Sequence, residues 1–231
     1  GASGVADVWN AVFTVPNNLR KLMAEGALSS AFIPALSASL VRGPDGRRSR
    51  DLAARVMTLQ MVILVPLTVV CIVFSRQAVR LLFSFAEAAK MELSASLFGW
   101  VFGYIVLISL SAVIMAVLNS HGVFVLPALT PILFSLAVIG ATIFLSRPLG
   151  IYSMVVGVGA GGLAQLVVQL PRYLRLGYGL RPDLGFRDPE FVGVLKAWVP
   201  VLASASIFAA TEQVAVLFAS GLQDGSTSSL S

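Results

Sequence analysis

The chain has 231 residues, of which 57% are hydrophobic and only 12% charged, with a mean hydropathy of +0.89. An ordinary soluble domain is about a quarter charged, so this composition excludes one and points to an integral membrane protein. The formal charge of +5 does not imply nucleic-acid binding, because the basic residues sit in short segments between apolar runs, with no basic face or aromatic-basic stripe.

About 20 apolar residues cross a bilayer as a helix. By that measure the chain is an all-α polytopic membrane protein with about six transmembrane helices, near residues 5–41, 52–74, 93–118, 123–145, 151–170 and 191–222. The first predicted span is interrupted by Asn17, Asn18, Arg20, Lys21 and Glu25. A charge near the bilayer centre costs roughly 2.5–3.5 kcal/mol, so such residues face a bundle interior or a watery cavity, or else snorkel to the headgroups. On a helix, residues four apart share a face, so Lys21 and Glu25 can pair while Arg20 has no acidic neighbour at helical spacing. Asn17, one turn earlier, can hydrogen-bond to Arg20 or to a ligand. A guanidinium left unneutralised inside an apolar span suits a phosphate, which it meets with a two-pronged fork. Pro16 and Pro34 favour bending of this span.

Further along, Cys71 lies in an apolar run and reads as a small hydrophobe, with no disulfide framework and no cysteine metal site. His121 sits in the short turn Asn119-Ser120-His121-Gly122 and reads as a loop residue. Gly157, Gly159, Gly161 and Gly162 lack the Lys-Ser/Thr and the preceding strand of a nucleotide loop. They read instead as small residues that let membrane helices approach. Asp7 stands at the outer start of the first span, as a helix-end group in water. Glu212 lies well inside the last span, where it could pair with Arg20 or Lys21, carry a proton, or form a polar helix contact.

Alternate loops share a side of the membrane. One set holds Arg42, Arg47, Arg48, Arg50 and Arg55, the Asn119–Gly122 turn, and Arg172, Arg175, Arg181, Arg187 and Lys196. The other holds Arg76, Arg80, Lys90 and Arg147. Ten basic residues against four place the first set in the cytoplasm. Residue 1 is Gly, and the chain is expected to be an excerpt of a longer protein or a product lacking its start.

Ala6-Asp7, Val15-Pro16-Asn17-Asn18-Leu19-Arg20-Lys21 and Ala24-Glu25-Gly26-Ala27-Leu28-Ser29-Ser30-Ala31-Phe32-Ile33-Pro34 together resemble the second helix of the MurJ (MviN) family. These are lipid II flippases of the MOP exporter superfamily. Leu118-Asn119-Ser120-His121-Gly122 with Pro127-Ala128-Leu129-Thr130-Pro131 resembles the family's fourth-to-fifth helix junction. Gly161-Gly162-Leu163-Ala164-Gln165-Leu166 and Gln169-Leu170-Pro171 resemble its sixth helix.

The resemblance implies helices two to seven of a fourteen-helix, two-lobe transporter. Residues 1–175 would form the first lobe without its opening helix, and residues 176–231 a linker and the first helix of the second lobe. It implies translocation of undecaprenyl-diphosphate-linked peptidoglycan precursor across the bacterial inner membrane by alternating access. Arg20 would engage the diphosphate with Lys21 and Asn17 beside it, and Asp7 and Glu25 would gate or form ion pairs; for Glu212 a gating or ion-pair role rests on its place in the last span alone. Glu212 matches no family motif. No cofactor, metal or nucleic acid is expected; the partners are lipid II or a related polyprenyl-diphosphate saccharide, membrane lipids, and the remaining helices of the parent transporter. An exporter of another polyprenyl-linked saccharide, or an inactive or split fragment, is the alternative. An enzyme is not expected, because it would need paired carboxylates or a metal site, and Asp45 and Asp51 lie in what reads as a solvated basic linker.

Overall fold

The computed structural model describes residues 2–20, 31–43, 45–83 and 87–220. Among them the secondary structure is helical. In chain order the helices are α1 (Ala2–Arg20), α2 (Ile33–Arg42), α3 (Arg47–Val73), α4 (Ser75–Leu82), α5 (Ala88–Phe102), α6 (Tyr104–Ser120), α7 (Val125–Leu149), α8 (Tyr152–Arg175) and α9 (Pro189–Ser220).

Four stretches are long and apolar enough to cross a membrane: Arg47–Val73, Ala88–Ser120, Val125–Leu149 and Tyr152–Arg175. They correspond to the second to fifth predicted spans. The first comprises α1 and α2, with residues 21–30 between them outside those described. The last is α9, whose 32 residues reach about 48 Å at the helical rise. Pro34 falls at the start of α2, where a missing amide donor costs nothing. Pro16 lies inside α1.

Apolar surface is turned outward along these helices. On α7, Leu129, Ile132, Leu136, Ile139 and Ile143 recur every three or four residues and are all exposed, while only Pro127 and Thr130 are buried. Such a stripe would be a liability in water and is what hydrocarbon requires. The inner side of α7 packs on α8, and glycines permit the approach. A Cβ on Gly157 would stand 2.8 Å from Val138 Cα, and one on Gly161 would stand 2.7 Å from the Phe134 ring. Gly162 faces Leu107 of α6, whereas Gly159 meets nothing within 4 Å and plays no part in this packing.

Two buried clusters form, one toward each end of the molecule. The first joins Phe32 and Leu36 to Leu52 and Val56 of α3, Val117 of α6, Tyr173, Tyr178, and Phe191 and Trp198 of α9. The second joins Val8 and Val12 of α1 to Val79, Phe83, Phe98, Ile105 and Val216. Helix α9 contributes to both and therefore runs the length of the bundle.

The loops expected on one side do meet. Arg55 reaches Asp183 and Asp188 of the α8–α9 linker at 3.0 and 3.2 Å. The His121 ring stands edge-on to Tyr178 at 5.3 Å. At the opposite end Arg76 pairs with Glu92 at 3.1 Å, and the hydroxyls of Ser96 and Tyr152 hydrogen-bond at 2.9 Å. Two expectations need correction. Asp7 is no solvated helix end: it is 4% exposed within α1 and engaged with its surroundings. Nor are Asp51 and Arg55 loop residues, because α3 begins at Arg47 and carries both.

Candidate substrate cavity

A cavity of about 280 Å³ lies between α1, α6, α7 and α8. Helix α1 lends it Phe13 and Asn17, four residues apart and so on one face. Helix α6 lends Tyr104, Ile108 and Ser111, α7 lends Thr130, Phe134 and Ser135, and α8 lends Gln165. The aromatic wall is continuous across helices: Trp9, Phe13, Tyr104 and Phe134 follow one another at centroid distances of 5.5, 6.0 and 6.3 Å. The Phe13–Tyr104 stack holds α1 against α6, and the tilted Tyr104–Phe134 pair holds α6 against α7.

The polar lining comes from helix chemistry as much as from side chains. Pro131 cannot donate to the Pro127 carbonyl one turn before it. The Thr130 hydroxyl donates to that carbonyl instead, at 2.8 Å. The Gln169 amide donates to Ser111 Oγ at 2.7 Å and to the Gln165 carbonyl at 3.0 Å, tying α8 to α6 behind the cavity. Neighbouring helices thus satisfy groups that would be costly to leave bare in a membrane.

Among the described residues, the lining carries no charged side chain. Arg20 closes α1, three residues after Asn17 and seven after Phe13, which continues the register of the cavity-lining positions. The Arg20 side chain, and Lys21 and Glu25 entirely, lie outside the described residues. Glu212 belongs to α9, which approaches α1, but its side chain is likewise outside them. Its neighbour Gln213 donates to the Leu82 carbonyl at 3.0 Å, fixing α9 against the end of α4. No group of three or more His, Cys, Asp and Glu side chains able to hold a metal comes together among the described residues.

The family model for "Lipid II flippase MurJ" matches residues 1–231, the whole chain. The chain belongs to the MurJ family. A "Probable lipid II flippase MurJ" of Borreliella burgdorferi is 33% identical over 231 residues, covering 100% of this chain and 45% of the relative. One of Vibrio cholerae is 34% identical, over 99% of this chain and 45% of the relative. The fold matches a solved "Lipid II flippase MurJ, inward closed conformation" with a TM-score of 0.82 and 24% identity, over 98% of this chain and 47% of that one. The chain thus spans about half the length of the MurJ relatives it matches. As a MurJ family member with apolar membrane-crossing helices, it is a multi-pass protein of the bacterial inner membrane.

Sequence reasoning placed Asn17 at the cavity but passed over Ser111, Thr130, Ser135 and Gln165 as site residues. The signal for Thr130 was available, since a hydroxyl residue directly before a helical proline is placed to take over the freed carbonyl. Ser111 and Gln165 carry no such mark.

Proposed function

We propose that this chain is the substrate-facing part of a lipid II flippase, which moves undecaprenyl-diphosphate-linked peptidoglycan precursor across the inner membrane by alternating access. The observation that carries the reading is the family match along this whole chain, whose α1 lines an uncharged, mostly apolar cavity bearing a few hydroxyl and amide groups and ends at Arg20, with Lys21 next in the sequence. In this reading Arg20 grips the diphosphate bidentately, Lys21 adds a second cation, and Asn17 orients the headgroup where α1 meets the cavity. Asp7, Glu25 and Glu212 serve as gate or ion-pair partners for these cations as the helices move. Residues 1–175 act as the first lobe, and residues 176–231 as the linker and first helix of the second. Ser111, Thr130, Ser135 and Gln165 add uncharged hydroxyl and amide groups to the cavity wall beside Asn17. The chain is a transporter and not an enzyme, and its partners are the lipid-linked substrate, the surrounding lipids and the other helices of the transporter.

The test is Arg20→Ala in the full-length transporter, read as lipid II translocation in reconstituted vesicles. Transport should fall by at least about tenfold, the loss expected when a charge-assisted bond of 1.5–3 kcal/mol is removed, while insertion is retained. Arg20→Lys should recover only part of it, because an ammonium lacks the planar fork. Wild-type flipping by a stably inserted Arg20→Ala protein would defeat the assignment.

A further inference from the structure

Two depressions at the end of the molecule carrying Arg47–Arg55 and the α8–α9 linker meet at one side chain. The first is a groove of about 630 Å³ between Met61, Val62 and Val65 of α3 and Leu180, Pro182 and Leu184 of the linker. The second, of about 320 Å³, is lined by Arg50, Asp51, Tyr178 and Arg181, with Gly177 and Gly179. Arg181 lines both.

The groove is built, not incidental. Leu180 and Leu184 are 50% and 71% exposed on a segment without regular structure, facing Val62 and Val65, which are 53% and 44% exposed. An irregular segment tolerates hydrocarbon only when its polar groups are satisfied. Here the Asp183 amide donates to Thr58 Oγ1 at 2.9 Å, Gly185 N–H donates to Asp183 Oδ1 at 2.8 Å, and Arg55 holds the other carboxylate oxygen at 3.0 Å. The linker's leucines are thereby clamped beside α3. The polar pocket is lined by two arginines and one aspartate, a net positive charge beside the mouth of the groove, with Arg50 steadied by donating to the Asp45 carbonyl at 3.1 Å. Gly177, at φ +83°, turns the chain there and brings Tyr178 against Ser49 and Arg50.

We propose that these joined depressions bind an anionic phospholipid of the cytoplasmic leaflet, its phosphate between Arg50 and Arg181 and one acyl chain along the α3 groove. The geometry supplies what each half of such a lipid needs: forked donors for phosphate oxygens, and a continuous apolar trough beginning at the same arginine. The bound lipid would tie α3 to the linker from outside, adding to the Arg55 clamp within. The site is separate from the central cavity and does not depend on what that cavity carries.

The test uses the full-length transporter containing this chain, in detergent, with native mass spectrometry to follow phosphatidylglycerol and phosphatidylethanolamine. Phosphatidylglycerol should bind more tightly, and Arg50→Gln with Arg181→Gln should weaken it by at least about fivefold, the equivalent of about 1 kcal/mol for a basic residue at a membrane surface. Binding of phosphatidylethanolamine should change little. A diazirine-tailed phosphatidylglycerol should cross-link the unsubstituted protein within residues 57–66 or 180–184, a readout that requires no variant to fold. Equal binding of the two lipids, an unweakened double variant, or cross-links elsewhere would overturn the proposal. So would displacement by millimolar inorganic phosphate, which would mark a free-anion pocket, or by undecaprenyl diphosphate, which would make the groove part of the substrate path.

Discussion

Gln60 is fully buried in α3, and neither its amide oxygen nor its amide nitrogen has a hydrogen-bond partner among the described residues. A buried polar group left unpaired costs about 1–3 kcal/mol. Gln169 differs by half: its oxygen also lacks a partner, but its nitrogen donates twice, to Ser111 and to Gln165, and so joins two helices. Gln60→Leu keeps the volume and removes the unpaired groups. It should raise the thermal midpoint of the purified protein by about 2–4 °C, read by intrinsic fluorescence during heating. A lowered midpoint would mean that the amide is satisfied in the membrane-embedded protein. At this scale Asn17, which lines the cavity, stood out in the sequence because an amide is conspicuous in an apolar run. Gln60 and Ser111 did not, because one polar residue in a long span reads the same whether it faces a cavity, a neighbour or nothing.

The α8–α9 linker owes its position to one side chain of α3. Arg55 bonds Asp183 through Nε and Asp188 through Nη1, at 3.0 and 3.2 Å, with the three side chains 18%, 29% and 34% exposed. Asp188 in turn caps α9, accepting from the amides of Glu190 and Phe191 at 3.0 and 3.2 Å. Arg55 therefore connects the third turn of α3 to the start of α9. Arg55→Ala should loosen this joint by about 1–2 kcal/mol once solvent screening is allowed for. The amides of Gly185, Glu190 and Phe191 should then exchange with deuterium roughly tenfold faster, since about 1.4 kcal/mol is a factor of ten. Arg55→Lys should restore little, because one ammonium does not reproduce a fork that spans two carboxylates. Unchanged exchange in Arg55→Ala would show that apolar packing of Phe191 alone holds the linker. The elements themselves were legible from hydropathy; this joint was not, because Arg55 and Asp183 are 128 residues apart and the arginine looked like one more cytoplasmic charge.

For the molecule as a whole, the helix ends and loops of the more basic set meet at one end, through Arg55 with Asp183 and through His121 with Tyr178. The positive-inside rule places that end in the cytoplasm. In a Cys71→Ala background, cysteine introduced at Asp45, whose side chain is 62% exposed, should react with an impermeant maleimide only after the cells are opened. Cysteine introduced at Glu87, 64% exposed at the other end, should react in cells whose inner membrane is intact. The reverse pattern would invert the orientation and move the lipid site to the outer leaflet.

What the sequence determined by itself is what hydropathy, charge count and motif can carry along one dimension. Spans of about 20 apolar residues partition into a bilayer whatever their neighbours, and the loop arginines bias their orientation. The Asn17–Pro34 motif adds the family, because its mixture of charge, glycine and proline inside a membrane span is rarely met otherwise. Tertiary structure alone decided which polar residues share the cavity with Asn17, why Gly157 and Gly161 are small while Gly159 need not be, and which acids Arg55 holds. Each of these depends on distances between helices far apart in the chain, and such distances arise from packing that no local pattern encodes.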